Sequence, residues 1–268
     1  MPLVRLPDLH QILNFLRHSV MASRGGHGVH SPFAYRLCEE VFYNQKAFYE
    51  FEKLESQRAE LLKNKEAFDI QDMGAGSKKL QTQARRVSDI AKHGISNAKQ
   101  SQLLFRLINY FDVKTSIELG TSLGLNTLYM AQANKKGEVY SMEGSESLSA
   151  FAAELARKAN ISNIHFLQGN FDALLPELLQ TIQSIDLAYI DGNHSYNASM
   201  RYFEVLLNKT HQNSVLVFDD IYWSKGMTRA WEEIKQHPRV SLSIDTFYSG
   251  YVFFREEIKE KQHLRFWL

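Results

Sequence analysis

From residue 116 onward, short apolar runs alternate with stretches of helical periodicity, and this alternation constrains the fold more than any other feature. Such a pattern predicts an α/β protein in which a parallel sheet is covered by helices on both faces. The predicted strands are 116–119, 138–142, 164–167, 187–190 and 214–218. The predicted helices are 127–133, 147–159, 173–180, 197–207 and 227–237. A last hairpin, formed by 241–245 and 251–255, is expected at the sheet edge.

The first 96 residues have a different pattern, because their apolar residues recur mainly at helical spacing. Ser31-Pro32 is a typical helix start, with a capping side chain followed by proline at the first helical position. We therefore divide the chain into a helical N-terminal extension (1–96), serving as a lid or dimerisation element, and a second domain (97–268). Two histidines flank mobile residues in His27-Gly-Val-His30, for which packing or a lid role is favoured over metal binding.

Two further segments of the extension are open to more than one interpretation. Asp72-Met-Gly-Ala-Gly-Ser77 is rich in glycine, but the residues before it are too few and too polar for a strand. We interpret it as a loop rather than as a second nucleotide site, and we expect a helix from Ala84 to Asn97. The basic residues Lys78-Lys79, Arg85-Arg86 and Lys92 are interpreted as a solvated face rather than as an attractor for an anionic ligand.

The composition is that of a globular protein: 44% of the residues are hydrophobic, 23% are charged and the formal net charge is +1. This charge gives no overall argument for nucleic-acid binding, although residues 1–100 hold 15 Lys and Arg against 11 Asp and Glu. Cys38 is the only cysteine, which excludes an internal disulfide and a thiolate zinc cluster. The sequence lacks the features of a signal peptide and a run of 18 apolar residues. We therefore expect a cytoplasmic protein with no membrane partner.

A loop with two glycines, Glu118-Leu-Gly-Thr-Ser-Leu-Gly124, joins the first of these strands to a helix. Gly120 permits a sharp turn, and Gly124 permits the backbone to approach a ligand closely. In doubly wound sheets, ligands bind beyond the carboxyl ends of the strands, and a helix N-terminus favours an anionic group. The loop therefore predicts a nucleotide-type cofactor without specifying which one. Its candidate binding residues are Glu118, Gly120, Thr121, Ser122, Gly124 and Asn126.

Further candidate cofactor residues follow the next two strands. Glu143 ends the second strand, where a carboxylate can accept hydrogen bonds from two ribose hydroxyls; a solvated charge is the alternative. The third strand leads into Gly169-Asn-Phe-Asp172. There Asp172 can accept from an adenine amino group and Phe171 can flank the ring. Asn170 and Asp172 can equally well cap the helix that follows.

Three aspartates are expected to converge at the ends of the fourth and fifth strands: Asp191, Asp219 and Asp220. Carboxylates that are forced together repel one another unless protons or a cation neutralise them. A hard divalent cation such as Mg²⁺ would satisfy such a cluster. It would also bind two substrate oxygens and lower the pKa of a hydroxyl. The alternative is that these aspartates cap helices or pair with basic residues.

His194 lies three residues beyond Asp191, on the loop that leaves the sheet. A neutral imidazole can accept a proton from a hydroxyl near pH 7, so His194 is the candidate general base. Tyr222 and Trp223 follow the acidic pair and can form the wall of a site for a flat acceptor. Their alternative role is that of partly buried aromatic residues.

Together these motifs resemble the catechol and caffeoyl-CoA O-methyltransferase group. The resemblance spans about residues 97–255. The segments that carry it are Ser101-Gln-Leu-Leu, 116–124, Met142-Glu143, Gly169 to Pro176, Ile190-Asp191 and Phe218-Asp-Asp220. Asp191-Gly-Asn-His-Ser-Tyr196 is more similar to bacterial members of the wider class I family.

The resemblance implies a Rossmann-like methyltransferase fold with a doubly wound, seven-stranded, mostly parallel sheet whose last strand is antiparallel. It also implies S-adenosylmethionine (SAM) as the cofactor and transfer of the methyl group by in-line displacement at sulfur. A Mg²⁺ would be held by Asp191 and by the Asp219-Asp220 pair. The family base after the fourth strand is typically a lysine, whereas this chain has His194 at the matching position.

We therefore predict a SAM-dependent methyltransferase acting on a hydroxylated small molecule, phenolic or catechol-like, with Asp191 and His194 as catalytic residues. The first alternative is a methyltransferase that acts on a hydroxylated base of tRNA, which would need a basic surface beside its pocket. The second alternative is a non-catalytic SAM-binding module. A nicotinamide-dependent oxidoreductase is disfavoured by the glycine pattern and the acidic cluster.

Overall fold

The computed structural model describes residues 8–71 and 82–268, which form helices packed around a mixed sheet. The helices are α1 (Leu9–Met21), α2 (Pro32–Leu37), α3 (Tyr49–Lys63), α4 (Val87–His93), α5 (Ala98–Phe111), α6 (Leu125–Ala133), α7 (Glu146–Lys158), α8 (Phe171–Thr181), α9 (Tyr196–Leu207) and α10 (Lys225–Gln236). A short π-helical turn, Cys38–Phe42, continues α2. The strands are β1 (Ala67–Gln71), β2 (Thr82–Arg86), β3 (Thr115–Leu119), β4 (Glu138–Glu143), β5 (Ile164–Gln168), β6 (Ile185–Ile190), β7 (Thr210–Asp219), β8 (Leu242–Asp245), β9 (Ser249–Phe253) and β10 (Gln262–Arg265).

The main sheet has the order β10-β8-β9-β7-β6-β3-β4-β5. Its neighbouring strands are parallel except where β9 pairs with β7 and β8. From β3 the chain builds the sheet outward in one direction, then returns to add β6 on the other side. The predicted doubly wound, mostly parallel fold is therefore confirmed, with its switch point between β3 and β6.

The sheet has eight strands among the described residues, one more than the seven predicted. The extra strand is β10, which pairs in parallel with β8 from Gln262↔Leu242 to Arg265↔Asp245. The predicted terminal hairpin forms as β8 and β9, but β10 covers its outer edge. Gln-His-Leu-Arg is short and polar, so no apolar run marked it as a strand.

Both faces of the sheet are covered, as β7 illustrates. Val215 and Val217 of this strand lie in one hydrophobic cluster, with residues of α2 to α7. Leu216 and Phe218 lie in a second cluster, with residues of α8, α9 and α10. Successive side chains of a strand point to opposite faces. A continuous apolar run is therefore what a strand between two helical layers requires.

The N-terminal extension contains more than helices. β1 and β2 pair in antiparallel fashion from Ala67↔Arg86 to Gln71↔Thr82, so the prediction that no strand precedes residue 72 is wrong. The helix predicted from Ala84 begins only at Val87. The missed hairpin is largely polar in sequence, which leaves no clear alternation to detect.

Other predictions for the extension have mixed outcomes. Ser31 caps α2 with Pro32 at its first turn, as predicted. Asp72-Met-Gly-Ala-Gly-Ser77 and Lys78-Lys79 lie outside the described residues, whereas Arg85 and Arg86 are exposed. Throughout 8–71 and 82–268, no helix combines the length and apolarity that a membrane crossing would need.

Helix α1 lies across the loop that follows β7. Two hydrogen bonds hold it there. His10 Nε2 bonds with Thr228 Oγ1 at 2.9 Å, and Gln11 Nε2 donates to the Trp223 carbonyl at 3.0 Å. One turn further on, the Phe15 ring packs edge-on against Phe247. The end of α1 is anchored by the buried His18, whose Nδ1 lies 3.3 Å from Oδ1 of Asp245 on β8.

The packing of α10 on the antiparallel strand β9 leaves no room for a side chain at Gly250. A Cβ at this position would lie 2.6 Å from two ring carbons of the buried Trp231. We expect Gly250→Ala to lower the free energy of unfolding by about 1–3 kcal/mol through overpacking, measured by urea denaturation. Gly226→Ala on α10 is the matched control. Its added Cβ has no neighbour closer than 3.5 Å, so alanine should be neutral or stabilising. Equal stability of the two variants would contradict this account.

Candidate active site

The loop after β3 meets the end of β6 at Gly120. Its φ is +108°, and a Cβ there would lie 2.2 Å from the carbonyl oxygen of Asp191. The Asp191 amide donates to the Leu119 carbonyl at 2.9 Å. Only glycine combines this conformation with such a close approach. Gly120 thus holds the predicted cofactor loop against the residue predicted to be catalytic.

Gly124 is required for a different reason from the one predicted. Its φ is +80°, and a Cβ would lie 2.7 Å from the Cβ of Ala152 on α7. Close packing of α6 and α7 alone therefore demands a glycine here. A close approach by a ligand to Gly124 stays a prediction.

Glu143 is tied to the same loop by backbone hydrogen bonds. The Ser122 amide donates to Oε2 and the Ser145 amide to Oε1, each at 2.9 Å. Burial raises the pKa of Glu143, although these backbone donors lower it in part. The carboxylate is thus fixed beside the loop, at the end of β4, where a ribose was predicted to bind. Thr121, also a candidate, hydrogen bonds through Oγ1 with Ser141 Oγ at 2.5 Å.

Glu118 is fully buried beneath the loop. Thr127 and Ser141 both donate to its Oε2, the latter at 2.6 Å. Burial raises its pKa to about 7. Within the described parts of the chain, Oε1 and the side-chain amide of Asn126 have no hydrogen-bond partner. Buried polar atoms of this kind are rare in proteins, so both residues are candidates to contact a bound molecule or a water.

The segment after β5 serves two roles. Asn170 caps α8 by accepting from the Asp172 amide at 2.8 Å, which agrees with the capping alternative. The Asp172 carboxylate forms a bidentate pair with Arg201 on α9, with both contacts from Nη2 at 2.8 Å. An adenine amino group would have to share Asp172 with Arg201, and this contact stays a prediction.

Phe171 and Gly169 of that segment lie against the sheet. The Gly169 amide donates to the Glu143 carbonyl at 2.9 Å. Phe171 covers Gly192, where a Cβ would lie 2.7 Å from the phenyl ring. Since Gly192 follows Asp191, Phe171 bridges the predicted adenine region and the acidic cluster.

The structure brings His194 between two of the three aspartates. Its Nε2 lies 3.6 Å from Asp191 Oδ1 and 3.9 Å from Asp220 Oδ2. About a quarter of each of the His194 and Asp191 side chains is exposed, so the cluster is accessible from one side. Asp219 is buried beneath it.

Burial and mutual repulsion keep this cluster from carrying its full negative charge. Burial, together with the neighbouring charges of Asp219 and Asp220, raises the pKa of Asp191 well above its ordinary value. The same causes raise the pKa of Asp220 to about 7. Burial lowers the pKa of His194, with partial opposition from Asp219. His194 is therefore neutral near pH 7, as a general base requires.

The predicted cation ligands do not fit a three-carboxylate site. Asp219 accepts from Tyr189 OH at 3.0 Å and from Ser249 Oγ at 2.5 Å, so each of its oxygens already has a donor. Across residues 8–71 and 82–268, no group of three His, Cys, Asp or Glu side chains is arranged to hold a metal ion. Asp219 is thus a hydrogen-bonded buried group rather than a partner of Asp191 and Asp220 in a ligand set.

An apolar pocket of about 380 Å³ lies next to Asp220. Its walls come from α1 and from the loops after β7 and β8. The lining residues are Gln11, Ile12, Phe15, Leu16, Asp220, Tyr222, Trp223, Phe247 and Tyr248. The predicted acceptor residues Tyr222 and Trp223 are thus both in the wall. Tyr222 stacks on Phe247 and donates to Asp245 Oδ2 at 2.5 Å.

A larger cavity of about 580 Å³ lies between α3, α6 and the residues that precede β5. These residues lead into the amino end of a parallel strand. Ligands of doubly wound folds bind at the opposite, carboxyl ends. The smaller pocket is therefore the candidate acceptor site.

Sequence reasoning missed several residues of the site. Tyr189 precedes Asp191 by two positions, so strand periodicity places the two side chains on one face of the sheet. This periodicity could have indicated that Tyr189 belongs to the site. Ser249 reaches Asp219 only through the pairing of β9 with β7. The α1 residues of the pocket gave no signal, because their contacts join positions more than 200 residues apart.

One segment of the chain is similar to a known protein family. Residues 117–221 match the model of a family described as a methyltransferase domain. No curated protein matches the sequence.

Several solved structures share the fold. The O-methyltransferase from Bacillus cereus, in complex with SAH, is 18% identical with a TM-score of 0.54, covering 78% of this chain and 92% of that one. The O-methyltransferase TomG from Streptomyces achromogenes, in complex with SAM, is 19% identical with a TM-score of 0.53, covering 60% and 82%. The methyltransferase PaMTH1 from Podospora anserina, bound to SAH, is 14% identical with a TM-score of 0.55, covering 80% and 99%.

At these identities the solved structures establish the fold, while the family match identifies the domain at residues 117–221. Together they agree with the predicted methyltransferase fold.

The buried Glu118 should make the free energy of unfolding depend on pH. Its pKa is about 7 in the folded chain against an ordinary value of 4.5, so the folded state binds the proton more tightly. Its ionisation therefore destabilises the fold increasingly as pH rises from 4.5 to 7, by about 3 kcal/mol in all. We expect Glu118→Gln to gain stability relative to the native chain between pH 5.5 and 8.5, measured by urea denaturation without SAM. Glu177→Gln, at an exposed position on α8, is the control. A constant difference across this range would contradict the buried ionisation.

Proposed function

We propose that this chain is a methyltransferase, which transfers the methyl group of SAM to an oxygen of a hydroxylated small molecule, phenolic or catechol-like. The observation that carries the proposal is the position of His194. It lies between Asp191 and Asp220, and Asp220 also lines the apolar pocket. A base and an aromatic-walled pocket thus share one residue at the carboxyl edge of the sheet.

In this proposal the chain binds and orients both reactants. When bound, SAM supplies an activated methyl group on its sulfonium. Glu143 accepts from the ribose hydroxyls, and the loop 118–124 holds the methionine part. The acceptor hydroxyl faces His194, whose Nε2 takes its proton while the new C–O bond forms and the C–S bond breaks. Asp191, 3.6 Å away, then stabilises the imidazolium. Positioning of the two reactants supplies much of the remaining acceleration.

The chemistry of the pocket supports a small acceptor over a tRNA. Its lining includes one carboxylate, Asp220, and no Lys or Arg. RNA binding draws most of its affinity from basic side chains that neutralise phosphates. Five aromatic side chains line the pocket beside Asp220, and these suit a flat ring.

Assistance by Mg²⁺ stays a prediction from the family resemblance. Among residues 8–71 and 82–268, no three His, Cys, Asp or Glu side chains are arranged to hold a metal ion. The proposed methyl transfer therefore uses no cation. The dependence of turnover on EDTA and on added Mg²⁺ tests this directly.

The base assignment predicts a loss of turnover on substitution of His194. We expect His194→Gln to lower kcat by roughly 10²–10⁴-fold while SAH binding, measured by calorimetry, is unchanged. Since burial lowers the pKa of His194, wild-type kcat should fall with decreasing pH only below about 6.5. His165→Gln is the control, because His165 is half exposed and pairs with Glu138. An unchanged kcat in His194→Gln would exclude this role.

A turnover screen tests the acceptor class. SAH formation would be measured with catechols, phenols and bulk tRNA, each with EDTA and with Mg²⁺. We expect turnover of hydroxylated aromatic compounds and none of tRNA. SAH binding without turnover of any acceptor would favour the non-catalytic alternative, and salt-sensitive tRNA methylation would favour the RNA alternative.

A further inference from the structure

One wall of the acceptor pocket comes from a helix that lies outside the matched methyltransferase segment. Ile12, Phe15 and Leu16 of α1 line the pocket opposite the aromatic residues of the β7 and β8 loops. The family match begins only at residue 117. The wall is therefore supplied by the part of the chain whose role the sequence left open.

The helix is held in place rather than loosely apposed. His10 bonds to Thr228, and the buried His18 lies 3.3 Å from the Asp245 carboxylate. Although burial raises the pKa of Asp245, the adjacent His18 and the hydrogen bond from Tyr222 hold it below its ordinary value. Between these two anchors, the Phe15 ring packs 5.2 Å from the Phe247 ring and 5.6 Å from the Trp267 ring. The wall is thus formed before any acceptor binds.

Several of the pocket's polar atoms are engaged within the protein. The Gln11 amide donates to the Trp223 carbonyl, and the Tyr222 hydroxyl donates to Asp245. Among the described lining residues, Asp220 supplies the only carboxylate, at the side where His194 lies. The remaining surface is aliphatic and aromatic. The pocket is therefore polar at the reacting end and apolar along α1.

The volume and the lining of the pocket limit which ligands can bind there. A volume of about 380 Å³ lies at the low end for small-molecule sites. Burial of the apolar side chains on both walls stabilises a complex only when the ligand surface against them is also apolar.

We propose that α1 selects the acceptor by binding an apolar substituent, so that the substrate class is an alkyl-substituted phenol or catechol. This proposal rests on the proposed function, since it assigns the reacting hydroxyl to the end near Asp220 and His194. The substituent lies along Ile12 and Leu16. These residues are 43% and 55% exposed, which leaves apolar surface for a ligand to cover.

Leu13 and Leu16 provide a matched pair for the test. Both are on α1 and similarly exposed, at 56% and 55%, but only Leu16 lines the pocket. Dissociation constants of catechol and of 4-alkylcatechols from methyl to hexyl would be measured by calorimetry with SAH present. We expect the Kd of the wild-type chain to fall about threefold per added methylene. Leu16→Ser should raise the Kd of 4-hexylcatechol roughly fivefold without affecting catechol, whereas Leu13→Ser should change neither.

Two results would overturn the role of α1. One is a Kd that is independent of alkyl length. The other is an equal effect of Leu13→Ser and Leu16→Ser, particularly if both alter the sedimentation coefficient, which would make this face a contact between copies. Ile12→Ser is a second test of the same wall.

Turnover of the same compounds separates this inference from the proposed function. Length-dependent binding without SAH formation would support the α1 site and contradict methyl transfer to these hydroxyls. Methylation that is indifferent to alkyl length and to Leu16→Ser would support the reaction and exclude α1 as its specificity element.

Discussion

The contact between Gly120 and the Asp191 carbonyl is the constraint on which the site depends. It lies at the switch point, where β3 and β6 pair side by side, and a single added carbon would approach that oxygen to 2.2 Å. This contact fixes the cofactor loop and the acidic cluster relative to each other. Reacting groups separated by a fraction of an ångström from their productive geometry lose much of the catalytic advantage.

Around this contact the protein uses buried carboxyl groups in two ways. Asp219 and Asp245 each accept two or more hydrogen bonds and serve as anchors for strands and for α1. Asp191 accepts a longer hydrogen bond, 3.5 Å from Tyr189 OH, and lies with Asp220 beside a neutral imidazole. Burial and the neighbouring carboxylates raise the pKa of both residues. The same residue type thus anchors the fold at two positions and lies in the candidate active site at two others.

Much of the sheet could be predicted from the sequence, and so could the meeting of the residues that follow β3, β4 and β6 at one edge, because both are encoded locally. Apolar runs identified the central strands, and residues that follow parallel strands must meet at one edge. The short polar strands β1, β2 and β10 could not be found this way, since backbone pairing rather than an apolar face defines them. The α1 wall and the engagement of Asp219 by Ser249 arise from contacts between distant segments. No local pattern reports such contacts.

The anchoring of α1 by Asp245 has a consequence for how the molecule assembles. Helix α1 lies near the start of the sequence, whereas Asp245, Phe247 and Trp267 lie near its end. The glycine loop and its strands need neither. The strands that carry the glycine loop can therefore pair while the pocket beside Asp220 still lacks its α1 wall. That wall forms only when α1 has packed against Asp245, Phe247 and Trp267.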